Sequence, residues 1–142
     1  MENLQKYYDL VENCISALGI ELQTARIPDR EGEWELTKGS ATIWVLVQYL
    51  EQNKAAYVQV LAPIVSIPEH NLEKFYEELL EVNHTFYGVA FTKFKQWIYV
   101  KSIREAEGID QNELFNMITR VGNYADMYDD VFSTKFGAKP IL

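Results

Sequence analysis

Leu4, Tyr7, Tyr8, Val11, Ile15 and Leu18 recur at steps of three and four residues, which draws one apolar stripe along a helix expected over about 2–18. Gly19 follows as its C-terminal cap, because glycine enters the left-handed region without strain. Residues 20–27 read as an extended lead-in, and Asp29-Arg30-Glu31-Gly32 as a turn. The period then drops to two. Glu33-Trp34-Glu35-Leu36-Thr37 alternates polar and apolar as a half-buried strand does, and Lys38-Gly39-Ser40 turns the chain. Residues 42–50 carry the strongest strand pattern, Gln52-Asn53-Lys54 closes a hairpin, and 56–62 return antiparallel. Pro63 and Pro68 bracket an extended exit.

Helical spacing resumes over about 69–83, with Leu72, Phe75, Tyr76, Leu79 and Leu80 as the stripe. A second hairpin is expected from 87–94 and 97–103 around Lys95-Gln96. Asp110 with Glu113 makes a capping-box arrangement that opens a long last helix. Leu114, Ile118, Val121, Ala125, Tyr128 and Phe132 line that helix. Gly122 inside it costs about 1 kcal/mol relative to alanine, which points first to close packing against another element, with a kink as the alternative. The predicted class is α+β, in the order α-β-β-β-α-β-β-α, with a single antiparallel sheet packed against helices.

Alternation divides the strands into two faces. Ile43, Val45, Val47 and Tyr49 share one side with Val58, Val60, Ile98 and Val100. This aliphatic side is expected to be the core face, covered by the first and last helices. The other side carries Trp44, Leu46, Leu50, Tyr57, Leu61, Trp97 and Tyr99 among Thr42, Gln48, Gln59, Lys101 and Ile103. A solvated face would alternate cleanly to polar residues. Large amphipathic side chains mixed with polar ones are instead typical of binding surfaces. Two arrangements fit: the middle helix covers this face within one monomer, or the face meets a second copy or a peptide.

A length of 142 residues suits one domain, expected over 1–142. The net charge of −8 argues against nucleic acid or an anionic membrane as partner. Cys14 is the sole cysteine, so no internal disulfide forms; it borders the first stripe and reads as a small core residue. The N-terminus lacks the basic start and apolar run of a signal peptide, and no apolar stretch approaches the ~20 residues that span a bilayer. The expected setting is cytoplasmic.

Catalytic chemistry is hard to find. His70 and His84 flank the middle helix and are too far apart to share a site. Asp126, Asp129 and Asp130 cluster near Tyr124 and Tyr128, but they lack the glycine turn of a calcium loop, so neither metal nor cofactor is expected. They read as a solvated acidic helix face, or as an acidic rim that docks a basic partner. Ser40 and Ser66 have no flanking glycines of a nucleophile elbow, and no glycine run cradles a phosphate.

Several local strings resemble the bacterial YbjN-like and type III secretion chaperone-like superfamily, with its CesT-like peptide-binding fold. They are Trp34 in the first strand, Leu61-Ala62-Pro63-Ile64, Asn71-Leu72, and Leu79-Leu80 with Asn83. Gly88-Val89-Ala90-Phe91 and Trp97-Ile98-Tyr99-Val100 look like its second hairpin, and Asp110, Glu113, Val121, Ala125 and Asp126 like its last helix. The resemblance implies a non-enzymatic, chaperone-like homodimer that holds a client protein or peptide. The residues expected to touch it are Trp44, Leu46, Leu50, Tyr57, Leu61, Trp97 and Tyr99. The alternatives are a small acidic inhibitor or immunity-type protein, and a small-ligand sensor or enzyme with a pocket between sheet and helices.

Overall fold

A computed structural model describes residues 3–140. Among them the chain forms α1 (Gln5–Ala17), α2 (Leu22–Ala25), β1 (Glu33–Lys38), β2 (Ala41–Leu50), β3 (Ala55–Ser66), α3 (Leu72–Thr85), β4 (Ala90–Phe94), β5 (Trp97–Glu105) and α4 (Gln111–Phe136). The strands make one antiparallel sheet in the order β1-β2-β3-β5-β4. The expected architecture is therefore present with one added element. Residues 20–27 are not an extended lead-in: the Glu21 carbonyl accepts from the N–H groups of Thr24 and Ala25, and that of Leu22 accepts from Arg26, closing a helical turn. Such a turn is too short for any periodicity to reveal. It seats Ala25 in the core, fully buried.

The element ends follow local chemistry. Ile20 N–H reaches back to the Ile15 carbonyl and Gly19 N–H to that of Ser16, the paired bonds of a Schellman cap, with Gly19 at φ +80°. β3 runs past Pro63, well beyond the expected end at Ala62, because the register to β5 shifts between Pro63 and Val65. A bulge is where a strand tolerates a residue without an N–H. At α4, the Asp110 carboxylate accepts from Glu113 N–H at 2.7 Å. The reciprocal half of the capping box is absent, since the Glu113 carboxylate turns instead to the Arg104 guanidinium.

The aliphatic face is the core. Ile43, Val45, Val60, Ile98 and Val100 are 0% exposed. α4 crosses this face with Leu114, Ile118, Val121 and Ala125, and α1 adds Val11 and Ile15. Each such valine, leucine or isoleucine contributes about 1.5–3 kcal/mol on burial. Gly122 lets α4 come close: a Cβ there would sit 2.9 Å from both Ile43 Cδ1 and Lys38 Cδ. α3 lies on this same side, at the β4 edge. Its Phe75 ring packs edge-on against Phe132 at 5.6 Å and Phe136 at 5.2 Å. The possibility that the middle helix covers the mixed face is thus removed. Leu72 and Leu80, expected in its buried stripe, are 40% and 70% exposed: Phe75 and Leu79 are the helix's buried residues, with Tyr76 and Val82 packed partly against the core.

Candidate functional site

None of the long helices α1, α3 and α4 covers the mixed face of the sheet, and α2 reaches it only at the β1 edge, through Thr24. Register brings its side chains into rows across the strands. Trp44 stands between Glu35 of β1 and Leu61 of β3, and Leu61 stands beside Lys101 of β5. The next row runs Glu33, Leu46, Gln59, Ile103. Trp44, Leu46 and Leu61 are half-buried by one another and floor a groove of about 490 Å³. Thr24, Ile27, Pro28 and Arg30 form its wall, and Glu33 and Glu35 its acidic border. The Trp44 indole N–H donates to Glu35 Oε1 at 2.8 Å, which sets the angle of the ring on the floor.

The wall is held from behind. Arg26 bridges Trp34 as a short antiparallel contact on the free edge of β1. Its guanidinium grips both oxygens of Glu12 at 2.6 and 2.7 Å, and the Trp34 indole donates to the same carboxylate at 3.0 Å. The Arg26 hydrogen bond holds the Glu12 carboxyl below its ordinary range. Gly32 closes the loop onto β2, its carbonyl accepting from Val47 N–H at 2.8 Å. With φ at +82° and a Cβ that would fall 2.9 Å from the Val47 oxygen, this position requires glycine. A second hollow, about 530 Å³, lies between this loop and α1, but the Glu12, Arg26 and Trp34 groups lining it already pair with one another.

The other expected contact residues share the face without sharing the groove. Leu50 and Tyr57 sit toward the β2–β3 turn, where the Tyr57 hydroxyl accepts from Asn53 Nδ2 at 3.0 Å. Trp97 and Tyr99 lie at the opposite end, paired with Phe94 and Thr92 of β4. Phe94 is 61% exposed and Ile103 49%, so both belong to this apolar surface. Neither was among the expected contact residues. Carrying the alternation one strand further, through Ala90, Thr92 and Phe94, would have found Phe94.

Asp126, Asp129 and Asp130 do not rim this face, because α4 lies across the opposite one. Two of them turn inward onto the β1–β2 hairpin. The Ser40 hydroxyl lies against Asp126 Oδ1 and 3.2 Å from Asp129 Oδ2, and Ser40 N–H donates to Asp126 at 3.3 Å. One hydroxyl proton cannot serve both carboxylates. The Ser40 bonds draw the Asp126 carboxyl down, whereas burial, then neighbouring Asp130, push Asp129 up. Cys14 is buried, donates to the Gln111 carbonyl at 3.4 Å, and has its thiol pushed up to about 11 by burial. It is a packing residue, as its place beside the stripe implied. His70 and His84 are exposed at the two ends of α3.

The sheet edges are less open than the face. On β4 the Asn83 side chain occupies both backbone groups of Phe91, accepting from its N–H at 2.7 Å and donating to its carbonyl at 3.3 Å. It takes the place of a neighbouring strand, as Arg26 does for one position of β1. No helix among the described residues is long and apolar enough to cross a membrane.

The family model TY-Chap1, described as T3SS (YopN, CesT) and YbjN peptide-binding chaperone 1, matches residues 5–142. A chain in the crystal structure of the ExsC–ExsE complex is similar in fold, with a TM-score of 0.68 over 92% of this chain and 96% of that one. The two are 12% identical in sequence, so the likeness speaks for the fold. No curated protein matches the chain.

Proposed function

The chain belongs to the TY-Chap1 family of type III secretion and YbjN peptide-binding chaperones, and on that premise we propose that it holds its client polypeptide on the open, mixed face of its sheet. A peptide-binding chaperone acts by capture and release, so this chain is a binding module and not an enzyme. The observation that carries the choice of surface is the face left open by the long helices, on which Trp44, Leu46, Leu61, Trp97 and Tyr99 stay half-exposed while the opposite face is sealed. An extended segment laid over it would bury alternate side chains against Trp44, Leu46 and Leu61, then pass over Leu50 and Tyr57 or over Trp97 and Tyr99. Aromatic anchors of this kind often dominate binding energy.

The test uses a synthetic peptide library and the folded variants Trp44→Ala and Trp97→Ala. Peptides that bind the natural chain are expected to lose at least about tenfold in affinity to Trp44→Ala, with thermal melts little changed, since a tryptophan hot spot is worth about 2 kcal/mol or more. Affinity unchanged in both variants, or protection from hydrogen exchange confined to α3 and α4, would move the client elsewhere.

A homodimer and a cytoplasmic setting complete the proposal. Leu80 and Tyr87, 70% and 80% exposed, support self-association, Leu80 on α3 and so on the side of the sheet opposite the client face. The unpaired Cys14 supports a reducing compartment. Light scattering at micromolar concentration is expected to give twice the 16.5 kDa chain mass. A monomer would remove the dimer and leave the client surface untouched.

A further inference from the structure

The groove over Trp44 has a charge pattern as well as a shape. Its floor is apolar, yet one long side is bounded by two carboxylates. Glu35 is exposed and forms no ion pair among the described residues; one of its oxygens accepts the Trp44 indole N–H. Glu33 has only Arg30, at 3.9 Å, the outer limit of an ion pair, and Arg30 is 63% exposed. Glu33 and Glu35 thus face one cation of the groove lining, Arg30, with Lys101 on the far side of Leu61, so the β1 border keeps one net negative charge beside a hydrophobic floor, on a chain that carries −8 overall. Glu35 and Glu33 stand directly opposite Trp44 and Leu46 on the neighbouring strand, whose backbone runs about 5 Å away.

Resting on the client surface argued above, we propose that this groove selects an extended client segment carrying a bulky aliphatic or aromatic residue with a lysine or arginine two positions away. Two constraints lead to that chemistry. Alternate residues of an extended chain face the same side, roughly 7 Å apart. When one apolar side chain enters the space between Pro28 and Leu61, the next inward-facing residue comes within reach of the β1 border. A long cationic side chain suits it, since its methylenes cover the edge of the Trp44 ring while its charge meets Glu35 or Glu33. A second copy of this chain fits the site less well, because it brings the same acidic border and the same net charge to the contact.

Glu35→Gln separates charge from architecture. Glutamine keeps an acceptor for the Trp44 indole, so the floor retains its geometry while the negative charge is lost. The probes are three labelled synthetic peptides with the same central leucine, flanked two residues away by lysine, serine or glutamate, followed by fluorescence anisotropy. The lysine peptide is expected to bind about three- to tenfold more tightly than the glutamate one, the range expected from one or two exposed ion pairs. That preference should shrink as salt is raised, nearly vanish in Glu35→Gln combined with Glu33→Gln, and reverse in Glu35→Lys. Equal binding of the three peptides, with affinity still lost in Trp44→Ala, would overturn the charge selection and leave the client surface standing. Binding of all three untouched by Trp44→Ala would overturn both. A free-chain dimer that falls apart in Trp44→Ala would assign the groove to a second copy and overturn the proposal too.

Discussion

The two faces of the sheet are built from the same strands by the same alternation, yet they end in opposite conditions. On one, Val45, Val60 and Val100 are fully buried beneath α4 and α1. On the other, the adjacent residues Trp44, Leu61 and Tyr99 stay half-exposed, steadied by lateral contacts and by bonds such as Trp44 to Glu35. The difference teaches that side-chain character prepares a face for its role before anything covers it. β-branched aliphatics suit a face sealed by helices, where shape complementarity decides stability. Trp, Tyr and Leu interleaved with Gln, Glu and Lys suit a face that stands in water and can still be desolvated by a partner.

The contrast is broken most sharply on the sealed side. Ile118→Ala removes a side chain with no exposure and is expected to cost about 2–5 kcal/mol in denaturant melts. A loss within ~0.5 kcal/mol would mean that α4 does not seal this face as described. The edge between the faces comes next. Asn83→Ala leaves the Phe91 N–H and carbonyl unpaired, at a cost of about 1–3 kcal/mol, and opens β4 to strand addition. Concentration-dependent association of this variant in sedimentation is the expected sign; an unchanged melt and an unchanged sedimentation profile would show that the edge needs no cover.

A smaller effect tests how tightly α4 sits. Gly122→Ala gains about 1 kcal/mol of helix propensity but drives a methyl against Ile43 and Lys38, where overpacking typically costs 1–3 kcal/mol. A net loss of about 1 kcal/mol is expected, and a stabilised variant would show slack in the seal. The smallest effect concerns the Asp129 carboxyl. Its pKa is raised in the fold above the ordinary value of 3.8, so its ionised form is a cost that is present above the folded pKa and vanishes as pH falls below the unfolded one. Asp129→Asn is therefore expected to stabilise the chain at neutral pH by less than about 1 kcal/mol, water screening much of the effect, and to change nothing at pH 3. Asp126 has the opposite sign: its lowered pKa stabilises the fold above 3.8 and that contribution is lost as pH drops through the folded value. A destabilised Asp129→Asn would contradict the crowding around Ser40.

Periodicity by itself determined the strand faces, the stripes of α1 and α4 and the order of every element but α2, because burial imposes a period of two or of three to four on any sequence that folds this way. It made Gly19 legible as a cap, and Gly122 as a point of close approach, since each position tolerates little else. It also separated the aliphatic residues from Trp44, Leu46, Tyr57, Leu61, Trp97 and Tyr99. Tertiary structure alone decided which face the middle helix would leave open, because Phe75 and Leu79 fit equally well against a sheet or against a neighbouring helix. It alone folded 22–25 into a helical turn and set 27–30 as a groove wall, through the grip of Arg26 on Glu12, two residues far apart in sequence. It alone turned Asp126 and Asp129 toward Ser40, because a helical period shows which residues share a side of α4 and not which strand that side will meet.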